Sequence, residues 1–234
     1  MSLKTLSQSR INFNDTGKLN TDGLVLYLDA GNVSSYSGSG TTWTDLSGNA
    51  NNGTLTNGPT FSSANGGSIA FDGTNDYINI NSSNSLLSAA QGTVNIWFKY
   101  NSISVNGNSI ISKIDSVQSN NGYNIYLYNN YISGEIKVSG TAYGISFIVS
   151  SGVWYNFTVT YSSNGFISGY LNGIKRGTSN LPSFTMTTQA LRLATANDTY
   201  WGSFNGNISN VQIYNKVLTD SDILKNYNTF RNRF

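Results

Sequence analysis

GLVLYLDAGN (residues 23–32), followed by TWTDLSGNANNGTL (42–55) and SIAFDGTNDYINI (68–80), reads as a buried strand, a long ordered loop and two further short strands. The run Leu24, Val25, Leu26, Tyr27, Leu28 is almost wholly apolar, as expected of a strand covered on both faces. After it, Trp43, Asp45, Leu46 and Ser47 stand among Gly and Asn, the pattern of a loop folded back over a sheet and pinned by its tryptophan.

Working outward, short aromatic and β-branched runs recur to the end of the chain. Thr93 to Tyr100 alternates, with Val94, Ile96, Phe98 and Tyr100 on one face and Thr93, Asn95, Trp97 and Lys99 on the other. Ser109–Ile114, Tyr123–Tyr128, Tyr131–Val138 and Ile145–Val149 follow. Val153–Tyr161 alternates again, and Phe166–Leu171, Ile174–Arg176, Leu191–Ala194 and Ile208–Tyr214 complete the set. Asn129-Asn130 and Asn172-Gly173 separate adjacent runs by two residues that tolerate left-handed backbone, so each predicts a tight hairpin. The punctuation favours an all-β, two-sheet antiparallel sandwich over a barrel, which periodicity alone does not separate. One short C-terminal helix is predicted from about Asp220 to Asn228. Thr219 is its N-cap, Asp222 the third residue of a capping box, Leu218 and Ile223 a hydrophobic staple, and Ile223, Leu224 and Tyr227 face the sheet.

Composition narrows the function. Among 234 residues, 24 are Gly and 15 Tyr, and only 10% are charged; 13% aromatic content is too much for a disordered chain. A net charge of +2 without a basic block gives no support for nucleic-acid binding. The absence of cysteine excludes disulfides and thiol nucleophiles, and the absence of histidine removes the commonest general base. No segment approaches the ~18 apolar residues of a membrane span. Residues 1–22 are polar and lack periodicity, so we expect an extended N-terminal arm ahead of a single domain at 23–234. A segment with so little to bury is ordered most easily against another chain, which implies self-association or contact with a neighbour. That arm also lacks the apolar stretch of an export signal, so work outside a cell implies carriage on a particle.

The ordered pieces together resemble the laminin-G-like, concanavalin A-like lectin/glucanase domains, especially those of marine tailed-phage virion proteins. TVNIWFKY (93–100) looks like the family's central strand, VWYNFTVTY (153–161) like the strand entering the middle of the fold, and GYLNGIKRG (169–177) like the following hairpin. FNGNISNVQIYNKVLTDSDILKNYN (204–228) looks like the characteristic strand, turn and helix of the ending. The resemblance implies a jelly-roll sandwich that binds carbohydrate or protein partners, often with calcium in a loop site, and in a minority of members hydrolyses glycans. It also implies a virion outer surface, with other virion proteins as partners and cell-surface glycan as a ligand.

Each site reading has a bland counterpart. Hydrolysis needs two carboxylates flanking the scissile bond. The chain has one glutamate, Glu135, which reads as a surface strand charge, so we expect no enzyme. Asp72 and Asp76 are the densest oxygen cluster and the candidate calcium ligands, although Asp in a Gly-Thr-Asn turn ordinarily bonds its own backbone. Glycan binding needs an aromatic platform beside hydrogen-bonding groups. Asp198, Tyr200 and Trp201 meet that need best, and Tyr36 and Tyr143 sit in similar polar surroundings. Trp201 reads equally as a loop anchor, whereas Trp43, Trp97 and Trp154 are expected to pack within or beneath the sheets. Two functions remain: a non-enzymatic virion surface component, either decoration or tail appendage, and a calcium-assisted carbohydrate-binding adhesion module.

Overall fold

A computed structural model describes residues 18–86, 91–114, 121–197 and 200–234. In chain order the strands are β1 (Leu24–Asp29), β2 (Thr42–Trp43), β3 (Gly53–Thr56), β4 (Thr60–Ser62), β5 (Ser68–Asp72) and β6 (Tyr77–Ile80). They continue with β7 (Gln91–Ser102), β8 (Asn108–Ile114), β9 (Gly122–Tyr128), β10 (Tyr131–Val138) and β11 (Thr141–Ile148). β12 (Trp154–Ser162), β13 (Gly165–Leu171), β14 (Ile174–Leu181), β15 (Leu191–Leu193) and β16 (Asn205–Tyr214) precede the helix α1 (Asp220–Phe230).

Two eight-stranded antiparallel sheets form a jelly-roll sandwich. The first runs β14-β13-β12-β7-β16-β5-β4, with β1 also on β16; the second runs β11-β10-β9-β8-β15-β6-β3-β2. β16 holds β7 along one edge, while its other edge takes β5 at Asn205–Ile208 and β1 at Asn210–Tyr214. The core between the sheets is apolar: Leu26, Leu28, Ile96, Phe98, Phe157 and Val211 meet Ile78, Ile80, Ile111, Leu127, Ile132 and Leu193. Both hairpins predicted from paired left-handed residues are present, with φ of 46° and 63° at Asn129 and Asn130 and of 54° and 76° at Asn172 and Gly173.

The segment 23–77 holds more structure than its sequence suggests. Within the expected loop, Thr42–Trp43 and Gly53–Thr56 pair with each other, and Thr60–Ser62 pairs with β5. Trp43 is fully buried, and the Asp45 carboxylate accepts from the backbone N–H groups of Tyr27 (2.8 Å), Ser47 (2.9 Å) and Asn51 (3.0 Å). The loop is thus pinned twice: Trp43 is buried in the core and Asp45 bonds Tyr27 of the strand the loop follows.

The helix forms as its sequence dictates. Thr219 Oγ1 accepts from Asp222 N, Asp222 returns a bond to Thr219 N (3.1 Å), and Leu218 and Ile223 are buried together with Tyr170 and Tyr214. It lies on the outer face of the first sheet. Leu224 is only half-buried, however, and Asn226 is buried instead, donating to the Tyr214 hydroxyl at 2.9 Å. Tyr227 lies parallel to Trp97 at 5.5 Å. Beyond the helix Phe234 stacks on Trp97 at 4.3 Å and leans on Trp154 at 4.6 Å. Arg233 clasps Asp29 through two bonds of 2.6 and 2.9 Å. Of the expected arm, residues 1–17 lie outside the described residues. Asn20 and Asp22 contact this same chain, Asn20 N donating to Asn226 and Asp22 pairing with Lys216.

Candidate functional site

The helix covers the outer face of the first sheet; the outer face of the second carries the aromatic candidates, although Ser109, Ser112, Asn124, Ser133 and Glu135 on it are buried. Its geometry follows from strand alternation. Tyr123, Ile125 and Leu127 of β9 point into the core, and Asn124, Tyr126 and Tyr128 point outward. Register then sets neighbours across strands. One row reads Ser109, Tyr126, Ser133, Ser146, and the next Arg192, Ser112, Asn124, Glu135.

Trp201 closes one end of this face. Its ring sits 4.2 Å from that of Tyr126, and Tyr200 meets it edge-on at 5.1 Å. The seat is backbone: Gly202 N donates to Gly107 O at 3.0 Å, and a Cβ at Gly107 would lie 3.0 Å from the indole. Trp201 is half-buried while Tyr200 is 52% exposed, so one ring anchors and the other is presented.

The second row has an unusual property. Arg192 Nε, Ser112 Oγ, Asn124 Nδ2 and Glu135 Oε1 are all buried, and none has a hydrogen-bond partner among the described residues, although Glu135 Oε1 lies 3.9 Å from Lys137 Nζ. Such atoms are exceptions to the usual pairing of buried polar groups, and others occur on the helix-covered first sheet at Asn156, Thr160 and Asn210. Glu135 is only 6% exposed, which corrects its reading as a surface charge: strand alternation turns it outward, but the surroundings bury it. Burial raises its pKa, opposed by Lys137 at 3.9 Å and by the Tyr126 hydroxyl. Arg192 stacks its guanidinium 5.2 Å from the Tyr77 ring centroid and donates to Ala196 O at 3.4 Å.

The other sequence candidates are scattered. Asp198 lies outside the described residues. Tyr143 is half-buried on the core side of β11, opposite the Trp201 face. Tyr36 is 4% exposed and lines a cavity of about 270 Å³ with Phe61, Val33 and glycine backbone, in another part of the fold. Asp72 accepts from Thr74 N (2.7 Å) and Asp76 from Asp72 N (3.1 Å). Burial raises the Asp76 pKa. These carboxylates close their own turn, and no group of three or more acidic or other metal-binding side chains occurs among the described residues. That donor set does not fit calcium, which takes six to eight oxygens. Among the described glycan-binding candidates only Tyr200 and Trp201 are brought together, while Asp72 and Asp76 meet in their own turn. Tyr126, Glu135, Asn124 and Arg192 were missed, because they converge only through strand register.

A β-sandwich with one face sealed by a helix and the other bearing aromatic rings beside polar rows defines a lectin-like binding fold. The chain belongs to the concanavalin A-like lectin/glucanase superfamily: the profile of its laminin G-type family matches residues 72–224. Among solved structures, the binding domain of Paraclostridial Mosquitocidal Protein 1 superposes with a TM-score of 0.71 at 18% identity, over 91% of this chain and 53% of that one. The receptor binding domain of botulinum neurotoxin C/D mosaic serotype gives 0.71 at 18%, over 89% and 51%. A botulinum neurotoxin type C structure, whose cell entry is described as dependent upon interaction with two ganglioside molecules, gives 0.71 at 17%, over 90% and 52%. The chain therefore spans about half the length of these neighbours. No curated protein matches the sequence significantly.

Proposed function

We propose that this domain is a non-catalytic glycan-binding adhesion module whose site is the Trp201 end of the second sheet's outer face. The observation that carries this reading is the Tyr200–Trp201–Tyr126 cluster, in which Tyr200 is 52% exposed. Aromatic rings offer flat apolar faces to sugar rings, and a tyrosine hydroxyl at the edge of such a ring can hydrogen-bond a sugar hydroxyl. A hydrolase needs a second carboxylate near Glu135, whereas its cross-strand neighbours are Asn124 and Gly144. The toxin domains of similar fold, described as receptor-binding or dependent on gangliosides, support recognition of a cell surface.

A glycan array tests this directly, with wild type compared against Tyr200→Ala and Trp201→Ala. Binding to at least one glycan class, weakened roughly tenfold or more by Trp201→Ala, is expected; substitution of a buried aromatic anchor commonly costs that much. No binding, or binding indifferent to both substitutions, refutes it.

We place the module on the outer surface of a virion, as a decoration or tail-appendage component attached through residues 1–22. The support is the family resemblance of the strand motifs and the polar character of that segment. Mass spectrometry of purified particles tests the placement, and deletion of residues 1–22 should leave a folded domain that no longer incorporates.

A further inference from the structure

Nine large hydrophobic side chains are exposed among the described residues, and five of them gather at the Trp201 end of one face: Val105, Tyr128, Tyr131, Ile148 and Tyr200. Register explains three of these. Tyr128 pairs with Tyr131 across the Asn129-Asn130 turn, and Tyr131 pairs with Ile148 on β11, all three pointing outward like Tyr126 and Ser133. With strands ~4.8 Å apart, they make a strip roughly 10 Å long on rigid backbone. Tyr128 and Tyr131 are 44% and 43% exposed and Ile148 is 69% exposed. Val105 lies on the turn that carries Gly107, whose carbonyl holds Gly202 beside Trp201.

Resting on the glycan-binding reading above, we propose that Tyr128, Tyr131 and Ile148 form a second subsite that selects sugars bearing a methyl group, in an N-acetyl or 6-deoxy position. The tyrosine rings provide stacking faces with hydroxyls at their tips, as any sugar ring requires. Ile148 offers neither a ring face nor a hydrogen bond. A hydroxyl placed against it loses water and gains nothing, whereas a methyl group gains by burial. No charged side chain belongs to the strip, so it does not distinguish acidic from neutral sugars by charge. The strip sits at the tip of the Asn129-Asn130 hairpin, and no Lys or Arg flanks it in the register, which favours a glycan over an anionic lipid surface.

The test uses arrayed glycan pairs that differ in one methyl-bearing group: an N-acetylglucosaminide against the matching glucoside, and a fucoside against the matching galactoside of the same hand. Wild type should prefer the methyl-bearing member about fourfold, the value of one buried carbon group. Ile148→Ser should abolish the preference while leaving binding of the hydroxyl-only member unchanged, and Tyr131→Ser should weaken both members. Equal binding within each pair, or a preference that survives Ile148→Ser, overturns this subsite and leaves the Trp201 site standing. Absence of binding to any glycan overturns both. Neutral phosphatidylcholine vesicles form a further arm: vesicle binding lost in Ile148→Ser would reassign the strip to a lipid contact and overturn sugar selection.

Discussion

Removing the Arg233 side chain tests how the C-terminal segment is held. Asp29 is 1% exposed and receives two Arg233 N–H groups at 2.6 and 2.9 Å, the Gly31 N–H at 2.9 Å and the Tyr27 hydroxyl at 3.0 Å. Breaking a fully buried pair by deleting one partner costs about 3–5 kcal/mol. Here the Arg233 side chain is 27% exposed and Asp29 keeps two other donors, so Arg233→Ala should cost less, about 2 kcal/mol. For a domain of this size that is a fall in Tm of roughly 4–8 °C. The substitution also frees Phe234 from Trp97 and Trp154, so tryptophan emission should shift to the red before global unfolding. Differential scanning calorimetry and fluorescence on Arg233→Ala, Asp29→Asn and the double variant form a cycle. A coupling of about 1 kcal/mol or more is expected. A loss below about 0.5 kcal/mol for Arg233→Ala, with unchanged emission, would show that the clasp contributes nothing and that the aromatic stack alone seats the segment.

Three further outcomes follow from single features. Lys113 is buried and donates to Gln189 O, and burial lowers its pKa from 10.5 to about 8. The folded state therefore binds fewer protons than the unfolded one between those values, so stability should rise from about pH 8 to pH 10.5; Lys113→Met should flatten this segment of the Tm–pH curve, and a flat wild-type curve refutes the argument. Thr219→Ala removes the capping hydroxyl of α1 and should cost about 1 kcal/mol by urea denaturation, with an unchanged m-value. Gly107 has φ of +78°, and a Cβ there would lie 2.5 Å from Leu127 O and 3.0 Å from Trp201, so Gly107→Val should displace Trp201 and weaken glycan binding about as much as Trp201→Ala. Retention of full binding in Gly107→Val would mean that the indole position is irrelevant.

Local chemistry was readable wherever one or two residues decide the backbone. Asn129-Asn130 and Asn172-Gly173 form the hairpins expected, and Thr219 with Asp222 forms the capping box. Alternation located β7 and β12 to within about two residues, because one face of each is buried in an apolar core. The two- and three-residue strands at Thr42 and Thr60 were not readable, since a period cannot show in so short a run. The first half of β11, Thr141–Gly144, was missed because an edge strand with exposed polar residues looks like a loop. The candidate site was legible only at Tyr200 and Trp201. Glu135, Asn124, Ser112 and Arg192 come from four strands, and only pairing register aligns them. The strip of Tyr128, Tyr131 and Ile148 was hidden for the same reason.

The covering of the first sheet has a consequence for display. Asn20 rests on Asn226, and Phe234 rests on Trp97, so both ends of the described chain leave from the same side, behind the sandwich. The chain at Asn20 and Phe234 therefore sits on the side opposite the Trp201 face. The domain is built like a tile, with fixings on one surface and a finished surface opposite. A label or cargo appended at Phe234 should therefore leave the recognition face unobstructed.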